Sequence, residues 1–550
     1  MTLLNGTAVC RLPSAVVNNF STQPLSRASS PTGRACTVSA SAMFGRGLSA
    51  MLASILFTSS IAAIHNVRTF GAKGDNATDD TAAFVAAIAA VTTDTHGTVL
   101  IPTGGVYLIA PINLTSNIDF YIESGARIVG VMDFTKWPII PGAPSYGQGR
   151  NHGAHSPRFT SLIHGEHLTN VTIRGDGDGS VLDGQGRYWW TGRDYHAVWN
   201  ATRGHLLEIM YTNGLVVRDI KMVDSPFWNN HIYDCDNVHF TRVSIEAPPD
   251  APNTDGWDPD SSRNVLIEDS SYTGGDDCVA IKSGWDCFGI DYAKPSKGIH
   301  IRNITCHGRF AGIAIGSEMS GGVEDVLVED VRFTLSNGAA HIKTSRTRGG
   351  YVKDVIFRNV IVDGLVDNAI LVAGDDRNGV NPSCPRGWKP PALSVMSNYS
   401  FINIDGTNST VRSVPYSFTG LNGSLITGIR IENVTFPKGP GNRHDGKQWN
   451  CANVEGTATD VAPSPPCKEI KETSPTYTYS KAVKSDCNGR DIKPQPSCGG
   501  NRNLSVAVLE KCCDSTRECG GFNTHGVIKD RACAAHINPQ PTTDLYLINV

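Results

Sequence analysis

The sequence predicts an all-β fold, a parallel β-helix in which short strands stack coil upon coil. Short β-branched runs recur along the chain, and each ends in a charged residue followed by Asp or Asn. Successive starts at positions 265, 299, 326 and 355 are 34, 27 and 29 residues apart, with no helical pattern between them. A recurring period of this size indicates a solenoid, whereas a β-sandwich would show evenly spaced strands. The runs are Leu215–Asp219, Val265–Asp269, Ile299–Asn303, Val326–Asp330, Val355–Asn359 and Ile429–Asn433.

Composition and charge narrow the class of protein. The 550 residues include 48 Lys and Arg against 52 Asp and Glu, a net charge of -4, which argues against a nucleic-acid partner. A hydrophobic content of 40% with 18% charged residues excludes a disordered chain. The 56 glycines, about a tenth of the chain, indicate many turns and argue against a helical bundle.

Residues 1–63 are predicted to be a targeting region. The first acidic residue is Asp75, and the apolar run Leu48–Phe57 follows Arg46 and precedes small residues typical of a cleavage site. We expect a signal peptide, with Met43 as a candidate start, and a secreted protein of the extracellular space or cell wall. The alternative is an organelle transit peptide, which is also Ser-rich, Arg-containing and poor in acids.

The β-helix is predicted to occupy residues 64–467. Its N-terminal end is expected to be covered by a capping helix over Ala82–Val91, with N-caps offered by Asp79–Thr81. At the other end, a Cys451–Cys467 bridge is predicted to pin a closing loop. Trp189 and the adjacent Trp190 are expected to pack in the core rather than stack on a sugar.

Residues 468–550 are predicted to form a small cysteine-rich module. A dense, even set of cysteines in a secreted segment indicates a disulfide framework. The segments Leu509–Asp514 and Glu518–Thr524 weakly resemble PAN/apple-like modules, which implies a carbohydrate or protein ligand. A zinc site is the alternative, but disulfides are favoured outside the cell. The six cysteines are Cys487, Cys498, Cys512, Cys513, Cys519 and Cys533.

Three carboxylates carry the predicted chemistry. Asp255 lies in an Asn-Thr-Asp-Gly segment, and 21 residues later, close to one coil, come Asp276 and Asp277. Equivalent positions on neighbouring coils lie about 4.8 Å apart, so the three acids should crowd one patch. Each charge disfavours ionisation of the next, which leaves at least one acid protonated, as glycosidic cleavage requires. Carboxyl groups about 6.5–9.5 Å apart would leave room for a water and give inversion.

A later strand, Ala340–Thr344, is predicted to complete the site. Strand alternation places His341 and Lys343 on one side, where they can hold a negatively charged sugar. Arg348 is expected to assist them. Cys278, directly after the acids, is expected to be a buried core residue and not a nucleophile.

The ordered motifs resemble glycoside hydrolase family 28, the polygalacturonases and related pectin hydrolases. These motifs are Asn-Thr-Asp at 253, Gly-Asp-Asp at 275, Gly-Ile-Ala-Ile-Gly-Ser at 312 and Ile-Lys at 342. The resemblance implies a right-handed parallel β-helix of the pectin-lyase-like type, without a metal or cofactor. By the same resemblance Asp276 is the general acid and Asp255 with Asp277 activates the water. Asn253, His341 and Lys343 form the substrate-binding set.

Two positions depart from the family pattern. Ala311 stands where the family usually has His before the Gly of its third motif, and His341 replaces the usual Arg. Both changes resemble the plant-type branch, as does the segment Ser317–Gly322. They put endo-action on plain polygalacturonate in doubt.

The sequence thus predicts a secreted, monomeric, inverting hydrolase of α-1,4-galacturonosyl linkages in pectic polysaccharide. One alternative is a catalytically impaired protein that binds pectin or the cell wall. The other is a hydrolase of a substituted pectin such as rhamnogalacturonan or xylogalacturonan.

Overall fold

A computed structural model describes the backbone and side chains of most of residues 63–473 and the backbone of short strands beyond them. The continuous ranges are 63–91, 96–147, 157–191, 201–375, 379–439 and 447–473. The predicted targeting region, except for its last residue, lies outside the described residues. None of the described helices is long and apolar enough to cross a membrane.

Two parallel sheets build the fold, and the prediction of a parallel β-helix is confirmed. The second sheet takes one strand from each of eleven successive coils, in chain order. Its strands are Ile112–Asn113, Ile163–Glu166, Leu207–Met210, Asn230–Tyr233, Trp257–Asp260, Val279–Ile281, Ala311–Ile315, Gly338–Lys343, Ile370–Ala373, Tyr416–Thr419 and Trp449–Ala452. The first sheet has nineteen strands: Ala63–Asn66, Asp75–Asp79, Gly97–Ile101, Val106–Ile109, Ile118–Ile122, Arg127–Gly130, Thr169–Asp183, Asn213–Val223, Asp236–Glu246, Arg263–Gly274, Ser296–Gly308, Val323–Glu329, Arg332–Ser336, Tyr351–Val366, Val395–Asp405, Ser409–Val411, Ile426–Thr435, Val454–Ala462 and Ile470–Glu472.

The predicted repeat is a single stack of side chains in the first sheet. Val265 pairs with Ile299, Ile299 with Val326, and Val326 with Val355, and all four are buried. Each side chain therefore packs on its equivalent one coil away, which makes the hydrophobic core continuous along the helix axis. The same stack contains further members that the repeat pattern missed, among them Val238 and Tyr399.

The Asp and Asn residues that end the runs lie at bends within the first sheet. Asn303, Asp330 and Asn359 all have positive φ values near 50°, a conformation that Asn and Asp adopt more readily than other residues with a Cβ. The Asn359 amide donates to Asp330 Oδ1 at 3.2 Å, and the Asn403 amide donates to Asn359 Oδ1 at 3.2 Å. A ladder of side-chain hydrogen bonds thus runs along this edge of the stack.

The N-terminal end is covered by the helix Thr81–Ala89, close to the predicted span. Asp80 occupies the N-cap position, but its carboxylate caps no helical N–H. It accepts instead from the backbone N–H groups of Lys73 and Gly74 at 2.7 and 2.9 Å, so this side chain fixes the preceding loop. In the described part of the chain, two further α-helices span Gly186–Thr191 and Asp286–Tyr292, and 3₁₀ helices span Val67–Phe70 and Phe134–Lys136.

At the C-terminal end of the β-helix, the predicted Cys451–Cys467 disulfide is present. The parallel sheet continues past residue 467, because Ile470–Glu472 pairs with the preceding strand. Beyond it the chain changes to antiparallel pairing. One sheet contains Thr478–Ala482, Leu545–Asn549, Cys519–Asn523 and Ile528–Asp530, and another pairs Ser485–Asp486 with Asn538–Pro539. The cysteine pairing predicted for this segment lies outside the described side chains.

Candidate active site

The register of the second sheet brings two of the predicted acids together. Trp257 pairs with Val279, a separation of 279 − 257 = 22 residues, and the Gly256 N–H donates to the Asp277 carbonyl at 3.0 Å. Asp277, not Asp276, is therefore the coil equivalent of Asp255, which corrects the alignment inferred from a separation of 21. One carboxylate oxygen from each of the three acids lies within 4.8 Å of the others. This is closer than the separation of about 6.5–9.5 Å between carboxyl groups that the sequence argument expected.

Asp277 is held in its charged form. It is buried, which by itself would raise its pKa, but the Lys343 ammonium lies 3.2 Å from Oδ2 and holds the pKa below its ordinary value. Its other oxygen, Oδ1, accepts the Ala311 backbone N–H at 2.9 Å. The residue that departs from the family pattern thus contributes through its main chain. Both oxygens of Asp277 are engaged.

Asp276 directly precedes Asp277 in the chain, but its pKa is shifted in the opposite direction. Burial, followed by the charge of Asp277, raises its pKa to about 7. Asn253 Nδ2 lies 3.3 Å from Asp276 Oδ2. The orientation of that amide is fixed by Arg203, whose Nη2 donates to Asn253 Oδ1 at 2.7 Å. Sequence reasoning missed Arg203, because its distance of fifty positions from Asn253 gives no local signal.

Asp255 is also held toward its neutral form. Burial raises its pKa well above the ordinary value, and the charges of Asp276 and Asp258 add to the effect. Lys282 Nζ opposes this from 4.0 Å and lies 3.4 Å from Asp258 Oδ1. Burial raises the pKa of Asp258 to about 7. Lys282 and Asp258 were not among the predicted site residues, although Lys282 follows the paired acids by only five positions.

The strand Gly338–Lys343 presents the predicted basic pair. His341 and Lys343 are partly exposed and Ile342 is fully buried, as strand alternation predicts. Burial and the adjacent Lys343 lower the pKa of His341 to about 4. The imidazole is therefore neutral at ordinary pH, and Lys343 is the charged member of the pair.

The prediction that Arg348 assists in holding substrate is wrong. Its side chain is fully buried, with Nη1 2.6 Å from Asp286 Oδ1 and Nε donating to the Ser317 carbonyl at 2.7 Å. Asp286 also accepts the Asn381 backbone N–H at 2.7 Å. Arg348 thus joins loops from three coils and does not face the groove.

Two further predictions concern residues near the site. Cys278 is buried, as predicted, and the structure adds that it forms a disulfide with Cys306, so it has no free thiol. Trp189 is buried and packs edge-on against Trp137 and Phe159, which confirms core packing.

A groove of about 810 Å³ begins at Asn253 and Asp276. It carries an exposed phenylalanine, which suits the face of a sugar ring. Its two arginines are Arg309 and Arg412, and Arg412 is ion-paired to Asp367 at 2.6 Å. The lining residues are Pro249, Asp250, Pro252, Asn253, Gly275, Asp276, Arg309, Phe310, Leu335, Ser336, Leu365, Asp367 and Arg412.

Among the described residues, two groups of side chains are spaced closely enough to hold a metal ion. One is the cluster of three acids, where the ammonium groups of Lys343 and Lys282 already supply positive charge. The other is His205, Glu208 and His231, where Glu208 is ion-paired to Arg158 and bonded to His231. In each group a protein cation therefore lies within 4.0 Å of a carboxylate oxygen.

Comparison with known proteins identifies the class. The model of glycosyl hydrolases family 28 matches residues 92–462. The chain belongs to this family and is a glycoside hydrolase.

A relative from Vitis vinifera, described as a probable polygalacturonase, is 35% identical over 412 residues, which cover 74% of this chain and 81% of the relative. A polygalacturonase of Prunus persica is 24% identical over 438 residues, covering 78% and 90%. An exopolygalacturonase from Thermotoga maritima has the same fold, with a TM-score of 0.58 at 23% identity over 72% of this chain and 91% of that chain. A family 28 exopolygalacturonase of Yersinia enterocolitica gives 0.59 at 18% identity over 76% and 78%.

Replacing the buried arginine tests its structural assignment. Arg348→Met leaves Asp286 as an unpaired buried charge, so we expect the free energy of unfolding to fall by about 3–5 kcal/mol. Chemical denaturation measures this, and the KM of the folded enzyme should stay unchanged. A raised KM with unchanged stability would show instead that Arg348 binds substrate.

Proposed function

We propose that this protein hydrolyses α-1,4-galacturonosyl linkages of pectic polysaccharide. The observation that carries the proposal is the different ionisation of two adjacent acids at the start of the groove, where Asp276 is held toward the neutral form and Asp277 is ionised. Glycosidic cleavage needs one protonated and one ionised carboxyl group at the same bond. The polygalacturonase relatives support a galacturonan substrate.

The proposed roles follow from the environments of the side chains. Asp276 protonates the leaving oxygen, since its pKa of about 7 keeps it largely protonated in mildly acidic solution. Asp277 takes a proton from the attacking water, and Asp255 holds that water. Lys343 keeps Asp277 ionised and offers its charge to the uronic carboxylate. Asn253 fixes Asp276, and His341 serves as a neutral hydrogen-bonding group for the sugar.

We propose that hydrolysis inverts the anomeric centre of the sugar. The position of Asp277, and not a long separation between the acids, supports this proposal. Its Oδ1 and Oδ2 are held by Ala311 and Lys343, and its side chain is only 7% exposed. A carboxylate recessed in this way is better placed to accept a proton from water than to attack a sugar carbon directly.

Secretion to the extracellular space or cell wall is part of the proposal. It is supported by three disulfides in the described region, Cys278–Cys306, Cys287–Cys384 and Cys451–Cys467. Disulfides persist in oxidising compartments and are rare in reducing ones. N-terminal sequencing of the mature protein tests this: a first residue near position 63 fits signal cleavage, and retention of the leader contradicts it.

We also propose that the C-terminal segment is a separate module with a carbohydrate or protein ligand. The change from parallel to antiparallel pairing after Glu472 supports a boundary there, slightly beyond the predicted 467/468. Full hydrolytic activity in a chain that ends at residue 473, with weaker retention on pectic material, fits a binding module. Loss of folding in that chain contradicts independence.

Replacing the proposed acid tests the assignment. Asp276→Asn keeps the shape of the side chain but has no proton to donate, so we expect kcat on polygalacturonate to fall by about 10²–10⁴-fold. Released reducing ends measure the rate, and the thermal unfolding midpoint serves as the control for folding. Wild-type activity in this variant would refute the role. Retention on pectin without release by the wild-type enzyme would favour the alternative of an impaired wall-binding protein.

The pH dependence of kcat/KM tests whether Asp276 is protonated while Asp277 is ionised. The general acid must be protonated, so kcat/KM should decline as pH rises through about 7, the pKa of Asp276. The base must be ionised, and its lowered pKa keeps it active into acidic solution. A rate that increases steadily from pH 6 to pH 9 would contradict this assignment.

Product stereochemistry tests inversion. Proton NMR of the first turnovers, before mutarotation, should show the β-anomer released from α-linked galacturonan. Initial appearance of the α-anomer would mean that a carboxylate attacks the sugar. Comparing galacturonan with rhamnogalacturonan and xylogalacturonan in the same assay identifies the preferred backbone.

A further inference from the structure

The groove follows the turns that precede the strands of the second sheet. These turns are open before six successive strands, from the one starting at Trp257 to the one starting at Tyr416. At about 4.8 Å between coils, this open stretch is roughly 24 Å long, enough for several sugar units. One half-buried or exposed lining residue from each of these turns, in chain order, is Asn253, Asp276, Phe310, Leu335, Asp367 and Arg412.

On the two preceding coils, large buried side chains fill the turns. Before the strand that starts at Asn230, Phe227 and Trp228 are only 1% and 5% exposed. Before the strand that starts at Leu207, Arg203 and His205 are equally buried. The groove therefore ends at the coil that contains Asp255, and Asp276, the acid that lines it, lies at this closed end.

The filled positions form a packed plug, defined as Arg203, His205, Phe227 and Trp228. The Arg203 guanidinium lies 4.6 Å above the Phe227 ring and donates to the Pro226 and Pro252 carbonyls at 2.8 Å. The His205 ring stacks on Trp228 at 5.0 Å. Trp228 in turn lies 4.5 Å from the Lys282 ammonium, next to the acids.

The sheet behind the plug is covered as well. The outward side chains of Glu208, His231 and Asp258 are fully buried. The equivalent Ala280 and Ala314 on the next two coils are buried as well, and the first partly exposed member of this column is His341. Tyr146 lies over this part of the sheet, with its hydroxyl bonded to Asp260.

The segment that contains Ser145 and Tyr146 is held in place by hydrogen bonds from several residues. The Tyr233 hydroxyl donates to Ser145 Oγ at 3.0 Å, and the backbone N–H of Trp285 donates to the Ser145 carbonyl at 2.9 Å. The Asn381 amide donates to the Tyr146 carbonyl at 2.9 Å, close to the Cys287–Cys384 disulfide. A polysaccharide cannot continue past the acids in this direction without displacing packed side chains.

We propose that the enzyme attacks chain ends and releases a single uronic acid at each cleavage. The chain end lies against the plug, with one sugar on the closed side of the acids, and the remaining polymer lies along the open groove. This inference rests on the proposed function and adds the mode of attack.

A galacturonan with both ends blocked tests the mode of attack. The probe is a chain of defined length with a 4,5-unsaturated sugar at the non-reducing end and an aminopyridine label at the reducing end. We expect the unblocked chain to give galacturonic acid as the first product, and the blocked chain to react at least tenfold more slowly. Equal rates with early oligomers of mixed length would overturn chain-end attack. No release from the unblocked chain would overturn the proposed function together with it.

Opening the plug tests its role separately. Trp228→Ala removes the ring nearest the acids, so we expect dimers and trimers among the first products and faster cleavage of the blocked chain. Trp228→Phe is the matched control and should still give the monomer. An unchanged product pattern in a folded Trp228→Ala enzyme, checked by its thermal unfolding midpoint, would overturn the role of the plug. If that variant does not fold, Phe227→Ala replaces it with the same expectations.

Discussion

In-register hydrogen bonding between parallel strands is the constraint on which the site depends. Once Trp257 pairs with Val279, the backbone leaves no other position for Asp277 than directly beside Asp255. Carboxylates at this spacing repel each other, and their proximity is sustained because the ladder and the stacked aliphatic core hold the coils at a fixed separation. The stability of the fold therefore offsets the unfavourable free energy of keeping these acids close together.

Lysines placed on the same ladder divide the protonation between the acids. Lys343, two coils beyond Asp277, lies against that carboxylate, while no cation of the described residues forms an ion pair with Asp276. The charge of the ionised acid then raises the pKa of its neighbour. Lys282 stands on the opposite side, between Asp255 and Asp258, and limits repulsion within the buried cluster. One fold thus supplies both an acid and a base at the same groove.

The sequence predicted the features that are local or that repeat with the coils. The β-branched runs identified one core stack, because each coil must bury the same face. The coil that contains Val238 escaped notice because Arg242, not Asp or Asn, occupies its turn with positive φ. Contacts between distant positions could not be read in this way. The partnership of Arg203 with Asn253 and the burial of Arg348 depend on loop paths that no spacing rule specifies.

For the groove as well, the sequence predicted the repeating features but not the contacts between distant residues. Motif order and the repeat period placed the acids on one face, whereas the closed end of the groove arises from large side chains in turns of irregular length. Aromatic residues such as Phe227 and Trp228 fit a core, a sugar platform or a barrier equally well from sequence alone. Their positions relative to the sheet register distinguish these roles.

The unequal ionisation of two adjacent carboxyl groups is the central claim, and direct titration tests it. With ¹³C-labelled aspartate, NMR should show two carboxyl carbons that titrate at about pH 7, those of Asp276 and Asp258, and only the first should be absent from the spectrum of Asp276→Asn. The signal lost in Asp277→Asn should stay ionised in acidic solution. Ionisation of Asp276 and Asp277 together near the ordinary aspartate pKa of about 4 would contradict the account.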